Sequence, residues 1–225
     1  MCGRFTSAAE AAQIEERFGV EVPAGYRRRY NVAPTDDVLT VVETAEGRRA
    51  ELKRWGLVPQ WAKSRSSSGK MINARVEGIL ERAAYRSLVG SHRCLVPADG
   101  FYEWASGAAA KKGPVRFTLA GVPLFAFAGL WTSWVDRTTG ELVDSCTIVT
   151  TRANELVAEI HDRMPAILRT EDESTWLDLS VPAEIAASLL VPYPADRMRG
   201  APASARVNSV ANDDSELLAP DPALV

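Results

Sequence analysis

The residue best equipped for covalent chemistry is Cys2, which directly follows the initiating methionine. Because aminopeptidases remove Met1 readily before a small residue, we expect a mature chain that begins with cysteine. Such a terminus carries an α-amine with a reference pKa of about 7.7 to 8.0 beside a thiol near 8.5. An amine adds to an aldehyde to give a Schiff base, and the neighbouring thiol can close on the imine carbon to form a thiazolidine ring. Cys2 is therefore either an aldehyde trap or a small apolar residue at a frayed terminus.

Two further side chains suit proton transfer, Glu103 and His161. Glu103 stands between Tyr102 and Trp104, so an inward-pointing carboxyl would have its pKa raised by desolvation towards general acid-base use. An outward-pointing carboxyl would be an ordinary exposed glutamate on an alternating strand. His161 is either a second proton-transfer group or a residue that flanks a helix ending near Ile160.

The sequence predicts an ordered segment directly after Cys2. Ser7 and Glu10 form a capping-box pattern, an apolar stripe runs through residues 11–18, and Gly19 can end the helix. Order is what a terminal nucleophile needs, so this helix favours the aldehyde-trap interpretation.

The rest of the chain predicts an α+β fold with a strongly curved mixed or antiparallel β core flanked by helices. Apolar residues recur at helical spacing in four further segments: 76–84, 153–160, 171–177 and 182–189. Between them lie clusters of β-rich runs: 38–43, 51–56, 93–97, 115–119, 123–130 and 143–150. We take residues 1–225 as one domain, with 213–225 as a loose C-terminal tail.

Bulk properties exclude several classes of protein. The longest uncharged apolar run, 119–131, is broken by Gly121 and Pro123 and is shorter than the roughly 20 residues that span a bilayer. The terminus lacks the apolar stretch of a secretory signal, so we expect a cytoplasmic monomer whose three cysteines are thiols. Scattered Cys and His residues and the absence of a phosphate-binding glycine motif predict no metal and no cofactor. A net charge of -3 argues against indiscriminate binding of nucleic acid, although a local basic groove is compatible with it.

Six short motifs in a fixed order resemble the SOS response-associated peptidase (SRAP) family, and the match runs across nearly the whole chain. The most specific of them are the terminal Cys-Gly-Arg-Phe at 2–5 and the His-Asp-Arg-Met-Pro at 161–165. The others are 30–35 (YNVAPT), 55–61 (WGLVPQW), 73–75 (NAR) and 99–104 (DGFYEW).

The resemblance implies a protein that binds abasic sites in single-stranded DNA, at the nucleoid, and crosslinks to them through a thiazolidine. By the same resemblance, Cys2 is the nucleophile, Asn73 positions its amine or the sugar, Glu103 is the acid-base carboxylate and His161 transfers a second proton. A Schiff base also acidifies the neighbouring hydrogens, so a competing lyase reaction by β-elimination is expected. Residues implied in DNA binding are Arg4, Asn31, Trp61, Arg75, Thr150 and Arg163. Guanidinium groups suit phosphate oxygens, and Trp61 either stacks on a base or packs in the core.

Two alternatives stay open on sequence alone. The family name suggests a thiol peptidase, whose activity would extend at least to autoprocessing of Met1. The second alternative is a noncovalent reader of damaged or modified DNA in which Cys2 is incidental. Cys94 and Cys146 lie in apolar strand contexts and are expected to be inert under either hypothesis.

Overall fold

The structure is a computed structural model that describes residues 2–105 and 113–219. Its strands, numbered in chain order, are β1 (Phe5–Ser7), β2 (Arg29–Val32), β3 (Asp37–Thr44), β4 (Gly47–Trp55), β5 (Asn73–Arg75), β6 (Arg93–Ala98), β7 (Gly100–Trp104), β8 (Pro114–Leu119), β9 (Phe125–Val135), β10 (Leu142–Arg152), β11 (Arg163–Pro165) and β12 (Met198–Pro202). Its helices are α1 (Ala11–Phe18), α2 (Arg86–Ser91), α3 (Glu155–Ala158), α4 (Glu173–Leu177) and α5 (Ala183–Ser188), with short 3₁₀ turns between them.

Five strands close into a barrel in the order β10-β4-β3-β6-β9, because β9 pairs back onto β10. Most of these pairs are antiparallel, but β10 runs parallel to β4 and also to the short β5. The C-terminal residues of β10, beyond its pairing with β9, pair antiparallel with β11. The predicted α+β fold with a curved mixed β core is thus confirmed.

A second sheet, in the order β12-β8-β7-β1-β2, packs its apolar face into the barrel. Its central pair is β1 with β7, in which Phe5 lies opposite Phe101. The Phe5 ring packs edge-on against Trp55 and Phe127, with ring centroids 5.2 and 5.6 Å apart. The amino terminus is therefore anchored in the hydrophobic core rather than frayed.

Side-chain alternation divides the rest of the core between the two faces of the barrel strands. Val42 and Val96 belong to the same buried cluster as Phe5, whereas their neighbours Val41 and Leu95 face the helices. On that outer side they join Ile14, Phe18, Trp176 and Leu177 of α1 and α4. No helix among residues 2–105 and 113–219 has the length and hydrophobicity needed to cross a membrane.

Two predicted helices differ from those observed. Helix α1 begins at Ala11, and its capping box is formed by Glu10 with Gln13 rather than by Ser7 with Glu10, because Ser7 is used as the last residue of β1. Gly19 ends α1 with φ of 67°, as predicted. The helix predicted over 76–84 is wrong: a 3₁₀ turn occupies Val76–Gly78, and α2 follows only at residue 86.

The predicted loose tail also needs correction over residues 213–219; residues 220–225 lie outside the described part of the chain. The Asp213 carboxylate accepts hydrogen bonds from the backbone N–H groups of Tyr30 and Asn31, at 2.6 and 2.9 Å, and pairs with the Arg29 guanidinium. A few residues later Leu217 is buried beside Tyr102. Polar composition suggested a solvated terminus, but these contacts fasten the segment to β2.

We expect Asp213→Ala to lower the free energy of unfolding by about 1 to 3 kcal/mol, because it leaves two part-buried backbone donors without their acceptor and removes one of the two carboxylates that pair with Arg29. Urea unfolding at pH 7 measures the change. Glu216→Ala is the matched control, since its carboxylate makes an exposed pair with Arg206 and should matter by less than about 1 kcal/mol. Equal effects of the two substitutions would contradict an anchoring role for Asp213.

Candidate functional site

Cys2 lies fully buried just before β1, where its carbonyl accepts a hydrogen bond from the Asn73 side-chain Nδ2 at 2.8 Å. Asn73 is the first residue of β5 and pairs in register with Ile148 of β10. Its own carbonyl accepts a hydrogen bond from the Tyr85 hydroxyl at 3.3 Å. The nucleophile predicted from sequence is thus tied to a strand of the barrel wall by the residue predicted to position it.

The Asn73 amide has a second polar atom at the site. Its Oδ1 is buried and has no hydrogen-bond partner among the described residues. A buried acceptor of this kind is costly unless an N–H or O–H group reaches it. Asn73 can therefore hold Cys2 through Nδ2 and accept a hydrogen bond from a reacting group through Oδ1.

Antiparallel pairing of β1 with β7 brings Glu103 to the same end of the sheet as Cys2. Phe5 faces Phe101 and the Tyr102 N–H donates to the Arg4 carbonyl at 3.0 Å, so the register sets Glu103 opposite residue 3. Glu103 is only 2% exposed, and burial raises the pKa of its carboxyl to about 7, with the nearby Asp162 carboxylate adding to the effect. The inward-pointing interpretation of Glu103 is the one observed.

The Cys2 thiol is also strongly perturbed. Burial raises its pKa well above the usual value, and the negative charge of Glu103 raises it further. The pKa values of the other two thiols are raised as well, that of Cys94 to about 12, chiefly by burial. None of the three is a thiolate at neutral pH, and all are free cysteines.

His161 follows α3 and brings a neutral imidazole to the edge of the site. Its Nδ1 accepts the backbone N–H of Arg163 at 3.0 Å and also lies 3.0 Å from the Asp162 carboxylate, a contact that would be attractive only for a protonated ring. Burial lowers the pKa of His161 and the Asp162 side chain is 84% exposed to water, so the neutral form prevails, with its proton on Nε2.

Arg4 and Asn31, both predicted to contact DNA, are hydrogen-bonded to each other and to the segment around residue 207. The Arg4 Nη1 donates to the Asn31 side-chain oxygen and to the Val207 carbonyl, both at 2.8 Å, and the guanidinium lies 5.7 Å from the centre of the Trp104 ring. Asn31 is fully buried, and its Nδ2 donates to the carbonyls of Val207, Ser209 and Asn212. Asn31 is therefore held by the segment 207–212 and in turn orients Arg4, while its contact with DNA stays a prediction.

Arg75, Thr150 and Arg163 come together because β10 pairs with β5 on one side and with β11 on the other. Arg75 is exposed, as a phosphate contact requires. Thr150 is fully buried, and its carbonyl accepts a hydrogen bond from Arg163 Nη2 at 2.7 Å. Arg163 is itself largely buried and is paired with Glu77, a residue that the motif analysis did not single out.

Trp61 is 69% exposed on the segment that follows β4, which excludes the core-packing interpretation. The backbone around it is fixed: the Val58 N–H donates to the Ser145 hydroxyl at 2.9 Å, and the Trp134 indole donates to the Ala62 carbonyl at 2.8 Å. A held, solvent-facing indole is a stacking platform.

Residues 1–210 match the family model of the SOS response associated peptidases (SRAP). The chain belongs to this family. Among SRAP relatives, it is 43% identical to the abasic site processing protein YoqW of Bacillus subtilis, over 97% of this chain and 99% of that protein. It is 33% identical to the abasic site processing protein HMCES of Gallus gallus (98% and 78%) and 30% identical to the abasic site processing protein YedK of Escherichia coli (98% and 100%).

The SRAP architecture is also found in solved structures. A crystal structure of a protein from Bacteroides thetaiotaomicron superposes with a TM-score of 0.83 at 29% identity, covering 90% of this chain and 92% of that one. A second, from Bordetella bronchiseptica, gives a TM-score of 0.77 at 27% identity, covering 90% and 100%.

The SRAP motifs led to Cys2, Asn73, Glu103 and His161, but not to the residues that hold them. Tyr85, Asp162 and Glu77 were missed as functional residues, although Asp162 lies inside a quoted motif and Glu77 follows one by two positions. Proximity to a motif could have pointed to Asp162 and Glu77, whereas no signal in the sequence marks Tyr85, which reaches Asn73 only through the fold. Within residues 2–105 and 113–219, no group of three or more His, Cys, Asp or Glu residues is arranged to bind a metal.

The raised pKa of Glu103 makes a testable contribution to stability. A carboxyl whose pKa rises on folding lowers the free energy of unfolding once the pH exceeds its unfolded pKa, near 4.3 for Glu103. This loss of stability grows with pH and is complete once the pH exceeds the folded pKa of about 7. We therefore expect Glu103→Gln to become more stable relative to the natural chain by about 2 kcal/mol between pH 5 and pH 8.

Urea unfolding at the two pH values tests this expectation. Glu184→Gln on α5 serves as the control, because its side chain is exposed and should show no such pH-dependent difference. A Glu103→Gln difference that is the same at pH 5 and pH 8 would contradict a perturbed carboxyl.

Proposed function

We propose that this protein captures abasic sites in single-stranded DNA by forming a thiazolidine between Cys2 and the aldehyde of the lesion. The observation that carries the proposal is the seating of Cys2 in the core, hydrogen-bonded to Asn73 and next to a carboxyl whose pKa is about 7. Relatives aligned over nearly the whole chain are named abasic site processing proteins. The proposal requires loss of Met1, a residue outside the described part of the structure.

The first step exposes the aldehyde, because an abasic deoxyribose is mostly a closed hemiacetal. A carboxyl with a pKa of about 7 is protonated in a large fraction of molecules at neutral pH, so Glu103 can donate a proton to the ring oxygen as the ring opens. An ordinary exposed glutamate would be almost fully ionised and unable to do so.

The α-amine of Cys2 then attacks the aldehyde carbon. Glu103 regains the proton that the hemiacetal hydroxyl releases as the ring opens. The carbinolamine then loses water to give a protonated Schiff base, with Glu103, or the protonated minority of His161, supplying the proton that leaves with the hydroxyl. Asn73 fixes the Cys2 backbone through Nδ2, and its Oδ1 is placed to accept a hydrogen bond from the amine or from a sugar hydroxyl. The amine is thereby held in one orientation relative to the aldehyde carbon, which lowers the entropic cost of the attack.

The thiol closes the ring last. Because the raised pKa keeps Cys2 protonated, the sulfur is a weak nucleophile until the adjacent iminium forms, and its proton then passes to the Glu103 carboxylate as the C–S bond is made. Amine, thiol and aldehyde combine with loss of one water, and no oxidant or reductant is needed. Loss of a proton from the carbon next to the iminium would instead cleave the strand by β-elimination.

The strand itself is bound at the rim of the site. The exposed Arg75 and Trp61 are suited to a phosphate and a base, whereas Arg4 and Arg163 have internal partners that a phosphate would have to share or displace. Asn31 and Thr150 contribute by holding these arginines.

We expect the mature protein to form an adduct with a single-stranded oligonucleotide carrying one abasic site, and Cys2→Ala to form none without borohydride. Cys2→Ala and Cys2→Ser both keep the α-amine and should give only a Schiff base that needs borohydride trapping, because a methyl group cannot close the ring and oxygen closes it less favourably. Denaturing gels and intact mass, which should equal protein plus DNA minus one water, measure the products.

Cys94→Ala is the matched control, since it removes a buried thiol away from the lesion and should leave the adduct intact. An adduct that forms in Cys2→Ala without borohydride would contradict the proposed chemistry. Noncovalent binding that is equal in the natural chain and Cys2→Ala, with no adduct in either, would favour the DNA-reader hypothesis instead.

Glu103→Gln should slow adduct formation about 100-fold or more, the typical contribution of a positioned acid-base group. It should also remove the ionisation near pH 7 from the pH–rate profile, because the amide does not titrate. Single-turnover crosslinking between pH 5.5 and 8.5 measures both changes. A profile unaltered by the substitution would mean that another group transfers the proton.

A further inference from the structure

A charged cluster at the edge of the site contains Arg75, Glu77 and Arg163. The Glu77 carboxylate binds the Arg163 guanidinium through both oxygens, Nη1 to Oε1 at 2.6 Å and Nη2 to Oε2 at 3.0 Å. The Arg163 side chain is only 10% exposed, whereas that of Glu77 is 56% exposed. The guanidinium therefore lies beneath, and the carboxylate covers it from the solvent side.

The inner side of Arg163 is fixed independently of Glu77. Its Nη2 also donates to the Thr150 carbonyl at 2.7 Å, and its backbone pairs with Arg152 in the β10–β11 ladder. Loss of Glu77 would thus leave the guanidinium in place with its outward N–H groups directed to solvent. Because Arg163 is already held from the inner side, Glu77 is not needed to keep its guanidinium in place, and the covering carboxylate calls for another explanation.

A phosphodiester presents two negatively charged oxygens to a guanidinium fork in the same bidentate manner as a carboxylate. Arg75 lies close enough for its charge to act on Glu77 as well, so the cluster has a net charge of +1 with Glu77 ionised and +2 without it. Glu77 therefore halves the positive charge available to a strand passing this edge.

We infer that Glu77 is a displaceable stand-in for a DNA phosphate, which masks Arg163 until the backbone of a bound strand takes its place. The inference rests on the proposed function and adds to it a residue that sets how tightly undamaged DNA is held. Reversible binding stays weak because each bound strand must first displace a carboxylate, and retention is left to the covalent step at Cys2.

The test is equilibrium binding of an undamaged single-stranded oligonucleotide, which contains no aldehyde and so reports binding without crosslinking. Glu77→Gln should tighten binding about fivefold at low salt, because the strand no longer has to displace a carboxylate from Arg163, and the gain should shrink as added salt screens the charges. Glu77→Ala should behave alike, because removal of the charge is the common change.

Glu184→Gln is the control, since it removes one negative charge from α5 and should change affinity less than about twofold. Thermal melting checks that each variant is folded. Unchanged or weaker binding by folded Glu77 variants would overturn the inference, while adduct formation with an abasic oligonucleotide in the same preparations would show that the proposed function still stands. No binding and no adduct in the natural chain would overturn both.

Discussion

The pairing of β1 with β7 is the constraint on which the rest of the site depends. Phe5 is held opposite Phe101 and between Trp55 and Phe127. Cys2, only three residues earlier, therefore has few positions open to it. Because the two strands run in opposite directions, the residues preceding Phe5 and those following Phe101 arrive at the same end of the sheet. Cys2, which becomes the amino terminus once Met1 is lost, is thereby packed like a core residue, although chain termini are usually exposed.

Burial shifts the pKa values of the titratable groups at this end of the sheet. It raises the pKa of both the Cys2 thiol and the Glu103 carboxyl and lowers that of His161, so at pH 7 the thiol and the imidazole are mostly neutral and about half of the carboxyl is protonated. In the proposed reaction this imposes an order of events, because a protonated carboxyl is ready to open the sugar while the thiol stays unreactive until the iminium exists. The same desolvation of Glu103 destabilises the fold as the pH rises from about 4.3 to about 7, a compromise common at functional sites.

The sequence predicted the long elements well and the short ones poorly. Runs rich in β-branched or aromatic residues predicted β3, β9 and β10, each eight residues or longer. Three-residue strands show no period, so β1, β5 and β11, which carry or adjoin Cys2, Asn73 and Arg163, were not predicted as strands. Motif resemblance pointed to the reacting residues but not to their exposure, and so Asn31 and Thr150 were expected at a surface from which tertiary contacts remove them.

Selectivity for a damaged strand does not require tight binding. The chain has a net charge of -3, and several of its arginines are committed to internal partners: Arg4 to Asn31, Arg29 to Asp213, Arg93 to backbone carbonyls and Arg163 to Glu77. Each of these four side chains would have to share or give up its partner to neutralise a phosphate, so in the proposed function an intact strand is bound reversibly and released. An aldehyde is absent from intact DNA, and discrimination can therefore be made by bond formation at Cys2 rather than by affinity at the rim.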